Sequence, residues 1–457
     1  MQIADFIPAG GREEKNLKTF AALLFMTSAL SFGWGMRGSK IGHGKGALLP
    51  GMLLGFGFAL ITGEPKIMGY AWMLGAFGAL GMFLGGGMSH GETINLVYKH
   101  LEPPRGYAGL SVKGFLWFSV TAAFAAFGLR ILSMRLYTAA DFIFLAAVIC
   151  ISRPVGTRLF NGKNSLYFSV TRKESWGQNL LIFFSFICVF AVRRDWFSIF
   201  VCIVSGLGGS IGWIAGLRLY MLSLSRVILK KLSARGMCAG WKLMEFTFGA
   251  IGGFFSAAAF AVGLKLFPDV LSGGWFESGI GLCGYISQEL SLILAAAWFV
   301  LCAAHTLFCR LTAQKTWGEY AEDQLLDIIY CAVPFLLICL GSFHTAWFAV
   351  AAVPLYVLCE HFALDANPQK SRLRAVLHFS VSLLGPVISL AIPVLPPFSA
   401  ALFNIYIYQF YELCQLFSDK KHPKKRFPFS YGPRFTVNVY FIVSAAISTA
   451  AICIVTA

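Results

Sequence analysis

The residue types best suited to binding a ligand are concentrated in the segment 33–51, GWGMRGSKIGHGKGALLPG. Arg37, Lys40, His43 and Lys45 alternate there with glycines, which let the backbone approach a ligand closely, while the four side chains supply hydrogen-bond donors. The helix that follows points its positive N-terminal end toward the same loop. The segment therefore predicts an anion-binding loop. The alternative is a cytoplasmic loop whose cations only set the membrane topology.

A second polar segment, 85–95, places His90, Glu92 and Asn95 shortly after three consecutive glycines. Consecutive glycines next to charged groups predict a broken helix, and at membrane depth such irregular backbone is tolerated only where protein or water satisfies its polar groups. We therefore expect a polar cavity, with these three residues as substrate contacts and with His90 and Glu92 able to exchange protons. The alternative is that they cap a helix end in the lipid headgroup region.

Four further ionisable residues, Arg218, Glu245, Glu289 and His305, lie within or at the ends of strongly apolar runs. An ionisable group inside a membrane helix is a functional candidate because its burial in lipid is costly. Arg218 is predicted to bind substrate, and the other three are candidates for binding a coupling ion. Simpler explanations compete, because Glu245 follows Lys242 by one helical turn and can pair with it, and a neutral His305 can hydrogen-bond to a neighbouring helix.

The composition identifies the solvent in which these residues must be positioned. The 457-residue chain is 57% hydrophobic and 13% charged, with a mean hydropathy of +0.70, whereas soluble domains are about 25% charged. Its 47 glycines and 44 phenylalanines are typical of membrane helices and their interfaces. A bundle of membrane-spanning helices is therefore predicted. The 12 cysteines form no Cys-x-x-Cys pair or Cys/His cluster, so neither a metal nor another cofactor is expected.

Runs of about 20 apolar residues, the length needed to cross the hydrocarbon, predict an all-α, polytopic membrane bundle of about 14 spans. The runs cover residues 17–35, 46–63, 67–88, 112–130, 136–152, 179–192, 196–217, 243–267, 287–309, 325–343, 345–362, 375–394, 397–417 and 435–456. The run 179–192 is short and follows the polar Gln178, which leaves open whether it forms a complete span.

The distribution of cations predicts how the spans are oriented. Most of the 37 Lys and Arg residues fall in loops after odd-numbered spans, and cytoplasmic loops are enriched in these residues. Odd-numbered loops are therefore predicted to be cytoplasmic and both termini extracytoplasmic, in a multi-pass protein of the cell or inner membrane. The external loops are short, so any chemistry is expected within the membrane or at its cytoplasmic face.

Two short matches indicate an internal repeat. LGGGMS at 84–89 resembles LGGSIG at 207–212, and RGYAG at 105–109 resembles RGMCAG at 235–240. They would superimpose spans one to four on spans five to eight in the same orientation, with the substrate between the repeats; the alternative is chance recurrence in a glycine-rich chain. The predicted units are an extracytoplasmic leader, two four-helix repeats and a C-terminal bundle, at 1–16, 17–133, 134–267 and 268–457.

The last predicted cytoplasmic loop contains a run of basic residues next to the membrane, Lys420, Lys421, Lys424, Lys425 and Arg426. Such clusters bind anionic lipid headgroups, at about 1 kcal/mol per basic residue near the surface. The net charge of +16 therefore predicts contact with lipid rather than with nucleic acid.

These features favour a secondary transporter of a small, polar, anionic solute. Many spans and little mass in loops are typical of such carriers, and the site is expected at the glycine-rich cytoplasmic ends of spans one, three, seven and eight. The alternative is a membrane transferase acting on a lipid or lipid-linked substrate at the cytoplasmic leaflet, with His90 or Glu92 as general base. No acid pair has a spacing that favours catalysis, so the sequence favours a non-enzyme. A scaffold without a solute path is a third interpretation.

Overall fold

The computed structural model describes residues 9–36, 47–64, 67–68, 71–86, 88, 90–134, 136–161, 168, 174–225, 240–271 and scattered positions within 287–336 and 446–454. All regular secondary structure in these ranges is helical. Five helices are long and apolar enough to cross a membrane, and three shorter apolar helices accompany them. The all-α prediction is thus confirmed for the described part of the chain, and the apolar helices indicate a membrane-embedded protein.

The α-helices that the structure describes before residue 271 are α1 (Ala9–Met36), α2 (Leu48–Thr62), α3 (Ala71–Gly86), α4 (Gly91–Tyr98), α5 (Pro103–Met134), α6 (Ala139–Phe160), α7 (Trp176–Val192), α8 (Trp196–Ser225) and α9 (Gly240–Leu266). A short 3-10 helix, Pro268–Val270, follows α9, and a π-helical turn covers Ile328–Ala332.

The helices other than α4 coincide with the first eight predicted spans. Helices α1, α5, α6, α8 and α9 contain the long spans, whereas α2, α3 and α7 have 15, 16 and 17 residues. Helix α2 is enclosed by protein, with every residue in 50–61 buried, so its length does not have to match the bilayer thickness. The count of 14 spans is not confirmed, because the later runs lie largely outside the described residues.

Helix α5 forms the centre of the described bundle. Its most apolar stretch is 94% buried, against 39% for that of α6, which lies at the periphery and packs mainly on α7. Helix α5 packs against α3, α4, α7 and α8, while α9 packs against α8 and α1. Side chains on α5 are therefore well placed to connect the other helices.

Glycines let α8 approach its neighbours closely. A Cβ at Gly114 of α5 would overlap the backbone of Gly209 in α8, and a Cβ at Gly209 would overlap the backbone of Gly114. Gly212 and Gly216 face backbone atoms of α9. Larger side chains at these positions would force the helices apart, so the glycines are what allows α8 to pack this closely.

The pairing of helices does not confirm the internal repeat. Gly249 and Gly253 of α9 face α1, and α1 packs against α9 and α2. The helix that would correspond to α1 in the second unit is α6, and it packs mainly against α7. The two proposed units therefore differ in their contacts, and the repeat stays a prediction.

Large apolar side chains are exposed on the outside of α6, α8 and α9. Ile143, Phe144, Leu207, Ile211 and Phe254 are between 45% and 56% exposed. An extended apolar surface is unusual on a soluble monomer, whereas lipid tails are as apolar as these side chains. The exposed faces therefore agree with a membrane environment.

Candidate functional site

Helix α5 connects two groups of buried charges. Lys113 lies in its first half and contacts Glu174, and Arg130 lies near its other end and contacts Asp195. The two cations are separated by about 25 Å along the helix axis at 1.5 Å per residue. We call these regions the Lys113 end and the Asp195 end.

The Lys113 end contains the helix break predicted from the glycine run. Helix α3 ends at Gly86, and α4 begins at Gly91. Gly85 lies against the indole of Trp117, where a Cβ would overlap the ring. The break is therefore confirmed, and the absence of a side chain at Gly85 lets a tryptophan of α5 pack directly on α3.

The break positions the three substrate contacts that the sequence predicts in this segment. His90 is the N-cap residue of α4, and its Nδ1 lies 3.3 Å from the carbonyl oxygen of Met88. Glu92 lies in the first turn of α4, where a carboxylate interacts favourably with the helix dipole. Asn95 is half-buried on the same helix. One short helix and its N-cap residue thus carry all three polar residues.

Lys113 and Glu174 form an ion pair that is almost completely shielded from solvent. Lys113 Nζ lies 2.6 Å from Glu174 Oε1, and the two side chains are 1% and 0% exposed. The ammonium also donates to Thr93 Oγ1 at 2.7 Å. Because Thr93 belongs to α4 and Glu174 precedes α7, the ion pair joins the helix after the break to two other parts of the chain.

Neighbouring groups complete the surroundings of the pair. Glu174 Oε2 accepts a hydrogen bond from the backbone N–H of Phe168 at 2.7 Å, and the Lys113 ammonium lies 5.9 Å from the centre of the Phe168 ring. The Glu92 carboxylate interacts electrostatically with the same ammonium. Removing one partner of such a buried pair leaves an uncompensated charge, so the two charges depend on each other.

The first turn of α7 lies against the end of α3. Asn179 is fully buried, and its Nδ2 donates to the carbonyl of Leu84 at 3.2 Å, one of the carbonyls that a helix end leaves without an intrahelical partner. Asn179 Oδ1 has no hydrogen-bond partner among the described residues. A buried amide oxygen without a donor is unusual, which makes this atom a candidate ligand contact.

An aromatic cluster lies beside His90. The imidazole packs against Trp213 and Trp117, with centroid distances of 5.1 and 5.9 Å. Trp213 stacks on Phe248 at 4.4 Å, and Trp34 of α1 lies 4.6 Å from Trp117. The indole N–H of Trp117 donates to a carbonyl of α3, whereas that of Trp213 has no acceptor in the described part of the chain. Trp213 therefore offers a buried donor next to His90.

The other sequence candidates have varied surroundings. Arg218 is exposed on α8, with its guanidinium 4.8 Å from the ring centre of Tyr107. Glu245 is buried on α9, and Glu289 is exposed. The remaining candidates, Arg37, Lys40, His43, Lys45, His305 and the basic run 420–426, lie outside the described residues. Glu92 is a predicted residue whose carboxylate interacts with the charges at the Lys113 end.

The Asp195 end is a second buried cluster. Asp195 Oδ2 accepts hydrogen bonds from the hydroxyl of Tyr137 and from Ser198 Oγ, the latter at 2.6 Å, and Oδ1 accepts from the backbone N–H of Ser198 at 3.2 Å. Arg130 Nε lies 3.3 Å from Oδ1. Burial, together with the negative charge of Asp195, raises the pKa of Tyr137 well above its ordinary value. The tyrosine therefore stays a neutral donor to the carboxylate.

A less buried ion pair in the same region joins the start of α6 to the segment between α7 and α8. Arg193 Nη2 lies 2.8 Å from Asp141 Oδ2, with side chains 30% and 11% exposed. Arg193 also donates to Thr138 Oγ1 at 2.8 Å, and Thr138 and Asp141 form a capping box at the start of α6. The start of α6 and the segment before α8 are thus held together by this ion pair and by the hydrogen bond from Tyr137 to Asp195.

No protein family, curated protein or solved structure matches this chain. Among the described residues, no group of three or more His, Cys, Asp or Glu side chains is arranged to hold a metal ion. The Lys113 end offers a buried cation, two carboxylates and neutral hydrogen-bonding groups, a set that can bind an anion or accept a proton.

Sequence reasoning missed Lys113, Glu174 and Asp195 as site residues. Lys113 lies at the edge of the run 112–130, where a cation is typical of membrane topology. Glu174 is the only acid in the basic segment 153–178. An isolated acid among cations next to a predicted membrane helix is the signal that could have identified a partner for a buried lysine.

Proposed function

We propose that the protein is a secondary transporter that moves a small, polar, anionic solute across the cell membrane. The observation behind this proposal is the break between α3 and α4, which places Glu92 near the buried Lys113–Glu174 pair. Ionisable groups within membrane helices are costly and commonly functional. Transporters often bind their substrates at discontinuous helices, where the irregular backbone lines a cavity.

The chemistry of the site favours an anion as substrate. Lys113 supplies a buried positive charge, and the indole N–H of Trp213 supplies a donor. Asn179 Oδ1 supplies an acceptor for a solute hydroxyl or for a bound water. A small molecule with a carboxylate or phosphate and one hydroxyl group matches this chemistry.

The predicted anion-binding loop starts from the same end of the bundle. Trp34, which packs on Trp117, precedes Arg37 by three positions in the sequence. On the other side of the loop, Pro50 lies against Gly33. We infer that Arg37 and the cations after it attract the solute toward this end, since like-signed charges near a site raise the local concentration of the opposite ion.

We place the Lys113 end on the cytoplasmic side of the cell membrane. The loops rich in Lys and Arg connect the helices at this end, and such loops are retained in the cytoplasm. Both termini are then extracytoplasmic. The basic run 420–426 belongs to another cytoplasmic loop, and we propose that it contacts anionic lipid of the inner leaflet.

Reconstitution tests the proposed transport directly. Purified protein in liposomes is offered radiolabelled lactate, succinate, glutamate or inorganic phosphate under an inward proton gradient, an inward sodium gradient or no gradient. We expect accumulation of at least one of these anions against its concentration gradient. Absence of uptake for every anion under every gradient would contradict the proposal.

Two double variants separate the site from general effects of charge. Lys113→Gln/Glu174→Gln removes the buried pair, and Arg105→Gln/Glu102→Gln removes an exposed pair in which N and O lie 3.1 Å apart. We expect the first double variant to abolish uptake and the second to retain it. If the first variant instead changed a lipid product of the membrane without affecting solute uptake, the transferase interpretation would replace transport.

A further inference from the structure

The Lys113–Glu174 pair links three parts of the chain that meet near the helix break. Lys113 lies on α5, Glu174 lies just before α7, and Thr93, the second acceptor of the ammonium, lies on α4. Solvent does not screen the pair, because its side chains are 1% and 0% exposed. A change in the charge of either partner therefore affects all three segments.

A buried cation of this kind needs one negative charge beside it. An isolated ion is costly away from water, and removing one partner of a buried pair leaves the other uncompensated. Glu174 supplies the negative charge in the structure. A carboxylate or phosphate of a solute can supply it instead, but two anions around one cation would again leave a net charge. Glu174 and a bound anion therefore compete for Lys113 unless Glu174 is neutral.

We propose that Glu174 is the residue that couples transport to protons. This inference rests on the proposed anion transport and identifies its coupling ion. A proton that binds Glu174 Oε1 converts the carboxylate into a carboxylic acid and releases the Lys113 ammonium, which then pairs with the solute anion. When the solute leaves on the other side, Glu174 loses the proton and the ion pair forms again. One proton thus moves with each monovalent anion, and the Lys113–Glu174 pair together with that anion is neutral in both states.

The other ionisable groups around the pair are less suited to this exchange. Glu92 of α4 acts on Lys113 electrostatically, but it is only half-buried, so solvent can compensate its charge. His90, from the break, packs on the aromatic cluster. The first turn of α7 presents the neutral side chains of Gln178 and Asn179. Of these groups, Glu174 is in direct contact with the buried ammonium.

The acids that the sequence predicts for ion coupling differ from Glu174 in their surroundings. Glu289 is exposed, so its protonation changes no buried charge. Glu245 is buried on α9, which packs mainly on α8 and α1. A proton on Glu174, by contrast, changes the charge at the break itself.

Two transport assays on Glu174→Gln test the inference, with whichever of lactate, succinate, glutamate or inorganic phosphate the wild-type protein accumulates. The first measures accumulation driven by a proton gradient. The second measures exchange of the labelled anion between equal concentrations inside and outside, with no gradient. Because glutamine resembles the protonated acid, we expect the variant to lose accumulation and to retain exchange, at a rate that no longer depends on pH.

The outcomes distinguish the inference from the function on which it rests. Retention of proton-driven accumulation by Glu174→Gln would overturn the inference and leave the transporter function intact. Loss of both activities in a folded variant would also overturn it, whereas a wild-type protein without exchange would contradict the function itself. The matched control Glu102→Gln removes a carboxylate that is 53% exposed, and it should retain both activities.

A thermal measurement keeps the test decisive if Glu174→Gln inserts or folds poorly. Without the anion, the variant should melt at a lower temperature than the wild type, because Lys113 has lost its counter-charge. Adding the anion should raise its melting temperature more than that of the wild type, since a ligand that binds the native state stabilises it. Lys113→Gln/Glu174→Gln should show no such rise. A rise in this double variant, or none in Glu174→Gln, would overturn the inference.

Discussion

The two ends of α5 bury a cation beside a carboxylate in different ways. Asp195 accepts three hydrogen bonds from neutral donors in addition to its contact with Arg130. Glu174 accepts hydrogen bonds from Lys113 and from the backbone N–H of Phe168. Among the described residues, the carboxylate at the Asp195 end therefore has more support from uncharged groups than the one at the Lys113 end.

This difference indicates different roles for the two ends. A carboxylate with several neutral donors stays stabilised if its cation moves, because hydrogen bonds to a charged group are strong. The Asp195 end is thus suited to hold the segments before α6 and α8 in a fixed arrangement. A carboxylate that depends mainly on one cation can exchange that partner, so we expect changes of charge and conformation at the Lys113 end.

The largest effect on stability is expected for Lys113→Gln. Glu174 would lose the cation that compensates it in a buried site, and breaking a buried pair in this way costs about 3–5 kcal/mol. Chemical unfolding of the detergent-solubilised protein measures the loss in free energy of unfolding. The second substitution in Lys113→Gln/Glu174→Gln should recover part of this loss, because it removes the uncompensated charge. A double variant less stable than Lys113→Gln would show that the two charges are not coupled.

A smaller effect is expected for Arg130→Gln at the other end. Asp195 would keep the donors from Tyr137 and Ser198, so the loss should be smaller than the cost of about 3–5 kcal/mol for breaking a buried pair that lacks such donors. The same unfolding assay gives the comparison. If Arg130→Gln were as destabilising as Lys113→Gln, the neutral donors would not distinguish the two ends.

Local features of the chain could be predicted from the sequence. The run 243–267 corresponds to α9, Gly240–Leu266, because backbone in lipid must satisfy its hydrogen bonds within a helix. The break after α3 was also predictable, since it depends on consecutive glycines next to polar residues. The three short helices begin and end within four residues of the predicted runs 46–63, 67–88 and 179–192.

The pairing of the buried charges could not be predicted. Lys113 and Glu174 are 61 positions apart, and Tyr137 and Asp195 are 58 positions apart. Such partners are decided by which helices pack together, and a single sequence contains no direct record of that packing. Positive-inside reasoning also assigns a topological role to Lys113, which conceals its role in the site.

An effect of about 1 kcal/mol is expected for Tyr137→Phe, because Asp195 would lose one of several donors. This contribution should depend on pH. The pKa of Tyr137 is raised in the folded protein by burial and by the charge of Asp195, so the tyrosine stabilises the fold fully below its unfolded pKa of about 10. As the pH rises through the folded pKa, that stability is lost.

Unfolding measured at a series of pH values checks this dependence. The difference in stability between the wild type and Tyr137→Phe should be constant from about pH 7 to pH 9 and should narrow above about pH 10, where the unfolded tyrosine ionises. Both proteins are unfolded at the same pH values, so the difference between their free energies of unfolding excludes the general effect of alkaline pH. A difference that grows above pH 10 would contradict the direction of the pKa shift.

The smallest effect is expected for Glu102→Gln, which lies at the same end of α5 as the Lys113 pair but in an exposed ion pair. Arg105 and Glu102 are 39% and 53% exposed, so water compensates either charge when the other is removed, and the cost should be about 0.2–1 kcal/mol.

Raising the salt concentration should reduce this small difference further, because exposed charges are screened. The buried Lys113 pair should respond little to salt, since screening is weak inside the protein. If Glu102→Gln and Glu174→Gln lowered the free energy of unfolding equally, burial would not explain the sensitivity of the Lys113 end, and the contrast between the two ends would have to rest on another feature.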